Sequence, residues 1–183
     1  FRLSRVGSEM CLRARYSVSQ PGAVIDESGR AGRTFLAHLC QDWERAACGA
    51  EATVPTALLR TASVLHPRAL LRPLITLTRY GMAGRIGPGT QIWPWISLED
   101  EIRAIRHIMD RRLTGPVNLV APCRSSQLDI MRTLARRMHR PCLLPAPAWT
   151  ARLLIGADAT ESLITADSYV VPQRLLDSGF AFT

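Results

Sequence analysis

The stretch TALLRTASVL, residues 56–65, decides the fold class. It is a nearly continuous run of apolar and β-branched residues of strand length, and the turn around Pro67 closes it. A strand with apolar residues at successive positions is buried on both faces, which is typical of a parallel sheet covered by helices. Val117–Val120 is a second, shorter run of the same kind.

Helical patterns surround these two strands. One helix is predicted from Thr34 to Cys48 before Gly49, with an apolar face made of Phe35, Leu36, Leu39, Cys40, Trp43 and Ala47. A second is predicted from Leu70 to Tyr80, and a third opens at Ser125 or Ser126. A fourth starts after Ser97, which Asp100 complements as in a capping box, and its predicted buried stripe is Leu98, Ile102, Ile105 and Met109.

This order of elements predicts an α/β fold with about three core strands. A complete doubly wound dinucleotide-binding sheet has five or six strands, so the predicted sheet is incomplete. The glycine-rich stretch Gly81–Gly89 follows a predicted helix. A phosphate-binding glycine loop follows a strand and opens a helix, so this stretch is interpreted as a connecting loop.

The basic residues exclude several classes of enzyme. All 23 are arginine, and the formal net charge is +8. A chain without lysine has no Walker lysine, no Schiff-base lysine and no Tyr-x-x-x-Lys dyad. The arginines are scattered and not interleaved with aromatic residues, which argues against a single-strand binding platform. Their charge still favours a polyanionic neighbour, either RNA or an acidic protein.

Cysteine usage and hydropathy suggest a compartment. The five cysteines form no C-x-x-C pair, and reduced thiols fit the cytoplasm or an organelle matrix, the mitochondrial matrix included. No apolar run reaches the length of a membrane span. Because the first residue is Phe1, we expect a processed product or part of a longer protein.

An ordered set of short motifs resembles a known family. The set is Phe35-Leu36-Ala37, Cys40, Trp43-Glu44, Leu59-Arg60, Val64-Leu65, Gly87-x-Gly89-x-Gln91, Trp95-Ile96-x-x-x-Asp100, Asn118-x-x-Ala121-Pro122, Arg140-Pro141, Gly156 and Pro172-x-x-Leu175-x-x-x-Gly179-Phe180-x-Phe182. It resembles the sugar-nucleotide epimerase-like branch of the extended short-chain dehydrogenases, often labelled cell-division-inhibitor-like. The resemblance runs from about Tyr16 to the end and covers the C-terminal portion of such a protein.

The resemblance implies a Rossmann fold that binds NAD(P) through an N-terminal βαβ unit and holds its substrate in a smaller C-terminal lobe. We therefore expect residues 1–122 to form a partial Rossmann-like core with a crossover, and residues 123–183 to form the small lobe. This chain departs from the family in the dyad. Leu36 lies at the tyrosine position and Cys40 at the lysine position, and neither can do that chemistry.

Four residues are candidates for a site. Tyr16 is the one matching residue with acid–base capacity, a weak catalytic candidate. Arg60 could meet a phosphate or serve as a structural ion-pair partner. Gln91 and Trp95 could line a substrate cleft at the carboxyl ends of the strands, although Trp95 also fits a plain core position. No metal site is predicted.

These features lead to two hypotheses about function. The first is a pseudoenzyme: an epimerase-derived, non-catalytic structural or partner-binding subunit that binds no cofactor by itself, with its open sheet edge covered by another polypeptide or a large assembly. The alternative is the C-terminal part of an active NAD(P)-dependent oxidoreductase or epimerase acting on a nucleotide-sugar-like substrate, with NAD(P) bound when the N-terminal half is present.

Overall fold

The computed structural model describes residues 2–5, 12, 15–16, 23–49, 55–143 and 169–183. The elements in these ranges are, in chain order, β1 (Arg2–Arg5), β2 (Val24–Ile25), α1 (Phe35–Gly49), β3 (Thr56–Thr61), β4 (Ser63–Leu65), α2 (Leu71–Arg79), β5 (Trp95–Ser97), α3 (Leu98–Arg111), β6 (Gly115–Leu119), α4 (Gln127–Arg137), β7 (Tyr169–Val170) and α5 (Gln173–Asp177).

The central sheet has three parallel strands in the order β1-β3-β6. The middle strand β3 is buried from Ala57 to Thr61, as its run of apolar residues predicts. Two further parallel pairs, β2-β7 and β4-β5, lie outside this sheet. The structure confirms the predicted fold class, a Rossmann-like parallel sheet that corresponds to part of the full fold.

The stretch that decides the fold forms two strands where one was predicted. At Ala62 the chain leaves β6 and joins β5: the Ala62 amide donates to Leu119 O at 2.9 Å, and the next amide, of Ser63, donates to Pro94 O at 3.3 Å. Hydropathy could not show this break, because apolar, buried residues continue on both sides of it, Leu58 and Leu59 before and Val64 after.

The predicted buried face of α1 is correct in part, since Leu36, Cys40 and Ala47 pack toward the sheet. Trp43 is 43% exposed and Phe35 is 74% exposed, whereas Ala37, Cys40 and Glu44 are buried. The helix turns this face inward because the Glu44 carboxylate pairs with Arg60 of the sheet. The inward face therefore includes an ion pair as well as apolar residues, and it leaves Phe35 and Trp43 exposed.

α3 shows a similar displacement. Its start is confirmed, since the Asp100 amide donates to Ser97 Oγ at 3.0 Å. Its buried residues are Asp100, Glu101, Ala104 and Ile108, whereas Leu98, Ile102 and Met109 are exposed and Ile105 is half-buried. Two acidic side chains can lie inward because they are bonded there, Glu101 Oε1 accepting from Thr61 Oγ1 at 3.1 Å.

The C-terminal segment returns to the main core. Val170, Leu175 and Phe180 pack with Leu59, Ile96 and Val117 in the largest cluster of buried residues. A helix is predicted over residues 172–178, and a glycine directly after a helix end predicts positive φ. Gly179 confirms this with φ +83°. The alternation of Phe180 and Phe182 also predicts a short strand with both rings on one side. In the described segment 179–183 no strand forms, but the two rings lie edge to face with their centroids 4.8 Å apart.

Several predictions fall on residues outside the described ranges. The sequence also predicts a strand at residues 10–12, a strand at 142–144, a helix over 148–155 and a helical turn near Leu163. Of these residues only 12, 142 and 143 are described: Leu12 is helical, and Cys142 and Leu143 lie in no strand. The boundary at residue 122 stays a prediction. In the described part of the chain, no helix has the length and hydropathy needed to cross a membrane.

Candidate functional site

A buried ion pair joins α1 to the middle strand of the sheet. Arg60 of β3 donates through Nε to Glu44 Oε1 at 2.7 Å and through Nη2 to Glu44 Oε2 at 2.9 Å. Arg15 Nε donates to the same Oε2 at 3.3 Å. Burial alone would lower the pKa of Arg60. The hydrogen bond to Glu44 and the electrostatic interactions with Tyr16 and Glu44 outweigh that effect, so the pKa is raised overall and the guanidinium stays charged. This geometry is that of a structural arginine, because Nε, Nη1 and Nη2 all donate within the fold and no pair of N–H groups is available for a phosphate.

Tyr16 lies within the same buried cluster and is 1% exposed. Its hydroxyl accepts a hydrogen bond from Arg60 Nη1 and donates one to Asn118 Oδ1 at 3.1 Å. Burial raises the pKa of this hydroxyl, and the Arg60 charge offsets only part of that increase. In the described part of the chain, Tyr16 is therefore a protonated, buried phenol with both hydrogen-bond roles of its hydroxyl occupied.

Glu27 is a second buried carboxylate in this cluster, and sequence reasoning missed it. Its Oε1 accepts from the backbone amides of Asn118 at 3.0 Å and Arg174 at 3.3 Å, while its own carbonyl accepts from Arg60 Nη1 at 3.0 Å. Burial raises the pKa of its carboxyl despite these bonds. In the sequence it is one of two adjacent acidic residues with no periodicity around them, so nothing marked it as buried.

Together these residues form a buried network, defined here as Arg15, Tyr16, Glu27, Glu44, Arg60 and Asn118. The network connects the N-terminal region, α1, β3, β6 and the start of α5. Asn118 Nδ2 extends it to Val171 O at 3.1 Å. Because buried polar groups are costly unless they are bonded, the network fixes how these elements meet.

Gln91 and Trp95 belong to a different group of contacts. Gln91 is buried, and its Nε2 donates to Ile86 O at 2.9 Å. Trp95 Nε1 donates to Ser125 Oγ at 3.1 Å, and its ring packs in a second apolar cluster with Trp93 and Ile130. Gln127, the first residue of α4, holds the glycine-rich loop in place: its Nε2 donates to Gly84 O at 3.3 Å and its Oε1 accepts from the Ile86 amide at 3.0 Å. The bonds of Arg60 and Tyr16, in contrast, lie at the sheet.

The structure also shows where Leu36 and Cys40, the residues at the tyrosine and lysine positions of the family's dyad, lie. Cys40 is buried against Leu58 of β3, and Leu36 packs beside it. Neither side chain supplies an acid proton or a fixed cation. The Gly81–Gly89 loop follows α2, as expected of a connecting loop. No group of three side chains able to hold a metal ion occurs among the described residues.

Comparison with known proteins gives one family model and a consistent set of relatives. A model described as a domain of unknown function, DUF1731, matches residues 146–183. An epimerase family protein of Mycobacterium leprae is 38% identical over 87% of this chain and 52% of its own length. A chloroplastic epimerase family protein of Arabidopsis thaliana is 30% identical over 91% of this chain and 48% of its own length.

Solved structures that resemble this chain are also of epimerase proteins. A human epimerase family protein crystallised with NADPH aligns with a TM-score of 0.83 and 25% identity, over 90% of this chain and 57% of the human one. A nucleoside-diphosphate sugar epimerase from Corynebacterium glutamicum aligns with a TM-score of 0.71 and 27% identity, over 98% of this chain and 34% of that one. The chain thus spans about half the length of the curated relatives it matches.

Proposed function

We propose that this chain, whose sequence and fold are those of the C-terminal part of an epimerase family protein of the extended short-chain dehydrogenase type, is a non-catalytic framework that binds a partner. The observation that carries the proposal is the bonding of Tyr16. The residue that could act as the acid has both hydrogen-bond roles occupied inside the fold, by Arg60 and Asn118. The lysine position holds Cys40, which is buried.

The partner surface in this proposal is the outer edge of β1. In a doubly wound sheet of order 3-2-1-4-5-6, the last three strands lie side by side in chain order, as β1, β3 and β6 do here. Within the described ranges, no strand pairs with the outer side of β1. An open edge of this kind is a template for another strand. The occupant is a polypeptide that carries the nucleotide-binding half of the sheet.

NAD(P) would then be held by the partner. The first strand-to-helix turn of such a fold receives the pyrophosphate at a helix N-terminus. The described glycine-rich loop of this chain follows a helix and cannot do so. The net charge of +8 would favour an acidic or phosphate-rich neighbour in the same assembly.

A second candidate is the substrate half of an active NAD(P)-dependent epimerase or oxidoreductase acting on a nucleotide-sugar-like substrate. Gln91 and Trp95 favour it, because they flank the chain where β5 begins and Trp95 keeps part of its indole exposed. The Corynebacterium structure of similar fold is named a nucleoside-diphosphate sugar epimerase. In this candidate Tyr16 would supply the acid once the other half of the protein completes the site.

The test combines binding and turnover. Titration calorimetry of NADPH with this chain alone should show no binding, and adding the polypeptide that covers β1 should restore it. Alternate residues of a strand bond to opposite neighbours, so Leu3→Pro and Ser4→Pro remove an amide on different sides of β1. One of the two should abolish association with the partner while leaving the contacts with β3 in place.

Tyr16→Phe separates the two candidate functions in the assembled protein. Within the framework role, any epimerase turnover of a nucleotide sugar keeps its kcat, and only stability falls. A loss of kcat in a folded Tyr16→Phe assembly, or micromolar binding of NADPH to this chain alone, would contradict the proposal.

A further inference from the structure

The excess positive charge of this chain belongs to one part of the fold. The second apolar cluster, to which Leu74, Trp93 and Met131 belong, lies within residues 66–95 and 121–142. These two stretches, which we call the basic region, contain nine of the 23 arginines but only one of the 15 acidic residues, Asp129. The other 14 arginines are matched by 14 acidic residues. The whole net charge of +8 therefore comes from the basic region.

The arginines of the basic region are available to an anionic partner. All nine are exposed, and within the described ranges none of them forms an ion pair with a carboxylate. Asp129 instead accepts from the Ser126 hydroxyl at 2.6 Å, as part of the cap of α4. The nine are Arg68, Arg72, Arg79, Arg85, Arg124, Arg132, Arg136, Arg137 and Arg140.

Two helices gather arginines that are scattered in the sequence. α2 and α4 pack together on the second apolar cluster. On α4, Arg132 and Arg136 are four residues apart and share the side that faces away from the cluster. On α2, Arg72 and Arg79 are seven residues apart, so they also share one side. The fold therefore arranges these charges around a single apolar cluster.

An exposed apolar tip lies within the basic region, where α2 ends. Leu77 is 38% exposed, Tyr80 73% and Met82 49%. Gly81, with φ +74°, ends the helix, and the Met82 amide donates to Leu77 O at 2.9 Å. This bond is that of a Schellman motif, which brings the two residues that it joins side by side. The three apolar side chains therefore form one tip, directly beside Arg79.

The combination of arginines and an apolar tip fits the surface of an anionic membrane. Such a surface offers lipid phosphates over a wide area, and arginine binds phosphate through charge-assisted hydrogen bonds. Beneath the headgroups it offers a boundary layer in which leucine and tyrosine side chains are favourable. Duplex RNA would bind the arginines through its phosphates, but its backbone offers no apolar surface for Leu77 and Met82.

We propose that the basic region docks this chain onto an anionic membrane surface. The arginines contact lipid phosphates, and the tip formed by Leu77, Tyr80 and Met82 enters the headgroup layer. This inference is independent of the framework role, because the basic region contains α2 and α4, whereas the partner edge lies on β1.

The test is co-sedimentation with lipid vesicles, on the chain together with its β1 partner where the two purify as a complex. Vesicles that contain phosphatidylglycerol should bind the protein, and vesicles of phosphatidylcholine alone should not. An arginine near an anionic surface contributes about fivefold to binding, so Arg132→Gln/Arg136→Gln should weaken it by about 25-fold. Tyr80→Ser/Met82→Ser should weaken it by about tenfold, because the tip no longer enters the headgroup layer.

The matched control is Arg30→Gln/Arg33→Gln, which removes two exposed arginines ahead of α1. It lowers the net charge as much as Arg132→Gln/Arg136→Gln does, yet it should change vesicle binding by less than about twofold. Circular dichroism checks that every variant is folded. Equal binding to neutral and anionic vesicles, or an equal effect of the two arginine pairs, would overturn the proposal.

Two other polyanions test whether the partner is a membrane. Duplex RNA and polyglutamate are titrated with the original chain and with Tyr80→Ser/Met82→Ser, which should bind vesicles less well but both polyanions unchanged. Tighter binding of the original chain to RNA or polyglutamate than to vesicles at equal negative charge would overturn the proposal, and so would a tip variant that binds vesicles unchanged. Proline in β1 should not alter vesicle binding, which separates this failure from failure of the framework role.

Discussion

Removing Arg60 from the buried network tests whether the network holds the fold together. Arg60→Met keeps the aliphatic stem but deletes the guanidinium. Glu44 then loses two charge-assisted bonds, at 2.7 and 2.9 Å, and keeps only Arg15 at 3.3 Å. The Glu27 carbonyl and the Tyr16 hydroxyl lose the same donor. Breaking a buried pair on one side costs about 3–5 kcal/mol, because a buried charge is left uncompensated.

The measurement is pulse proteolysis in urea, which follows the folded fraction at low protein concentration. With a slope of about 2 kcal/mol per molar urea, the expected loss lowers the midpoint by roughly 2 M. The double variant Arg60→Met/Glu44→Leu removes both charges, so it should recover a large part of this loss.

The control is Arg45→Met. Arg45 pairs with Asp42 on the surface of α1, with side chains 79% and 58% exposed, so its removal should cost less than about 1 kcal/mol. The reasoning is refuted if Arg60→Met lowers the midpoint no more than Arg45→Met does. It is also refuted if the double variant is no more stable than Arg60→Met alone.

Three further outcomes follow from burial, ionisation and backbone geometry. Trp43→Ala should cost only about 1 kcal/mol in urea unfolding, whereas Leu58→Ala in the buried strand should cost about 2–5 kcal/mol; equal losses would contradict the observed phase of α1. Burial raises the pKa of Glu27 above its ordinary value of 4.5, so its contribution to stability is present below that value and is lost as pH rises through the raised pKa. Glu27→Gln should therefore gain stability relative to the original chain as the pH rises above 4.5, and a difference that does not change with pH would contradict the shift. Gly179→Ala should cost about 1–2 kcal/mol from φ +83° alone, since no atom lies within 4 Å of the added methyl; no change in midpoint would contradict a left-handed residue there.

Sequence patterns predicted the helices and the parallel sheet well, because both follow from local features. Ser97 and Ser126 mark the starts of α3 and α4, and each hydroxyl accepts from an amide three residues later. The apolar run of residues 56–61 marks the buried strand. Helix caps and apolar runs depend only on residues close in sequence, so they can be identified from one amino-acid sequence.

The orientation of the helices and the composition of the network were not predictable in the same way. The stripe of α3 is more apolar than the face that is buried, yet Asp100 and Glu101 lie inward. Their burial depends on partners distant in sequence, such as Thr61 for Glu101. Glu27 depends on Asn118, 91 residues away. Pairings over such distances leave no periodic pattern in the sequence. Counting apolar residues therefore identified only part of the buried faces, Leu36, Cys40 and Ala47 in α1 and Ile105 in α3.

The bond between Glu27 and the Arg174 amide has a consequence for synthesis of the protein. The two residues are 147 positions apart, and β2 pairs with β7 over a similar separation. Contacts this distant form slowly, since a long loop must close before they stabilise anything. On the ribosome, β3 and its helices emerge long before the segment that contains α5. The nascent chain must therefore hold an unfinished core until that segment is released, and during this interval it depends most on chaperones.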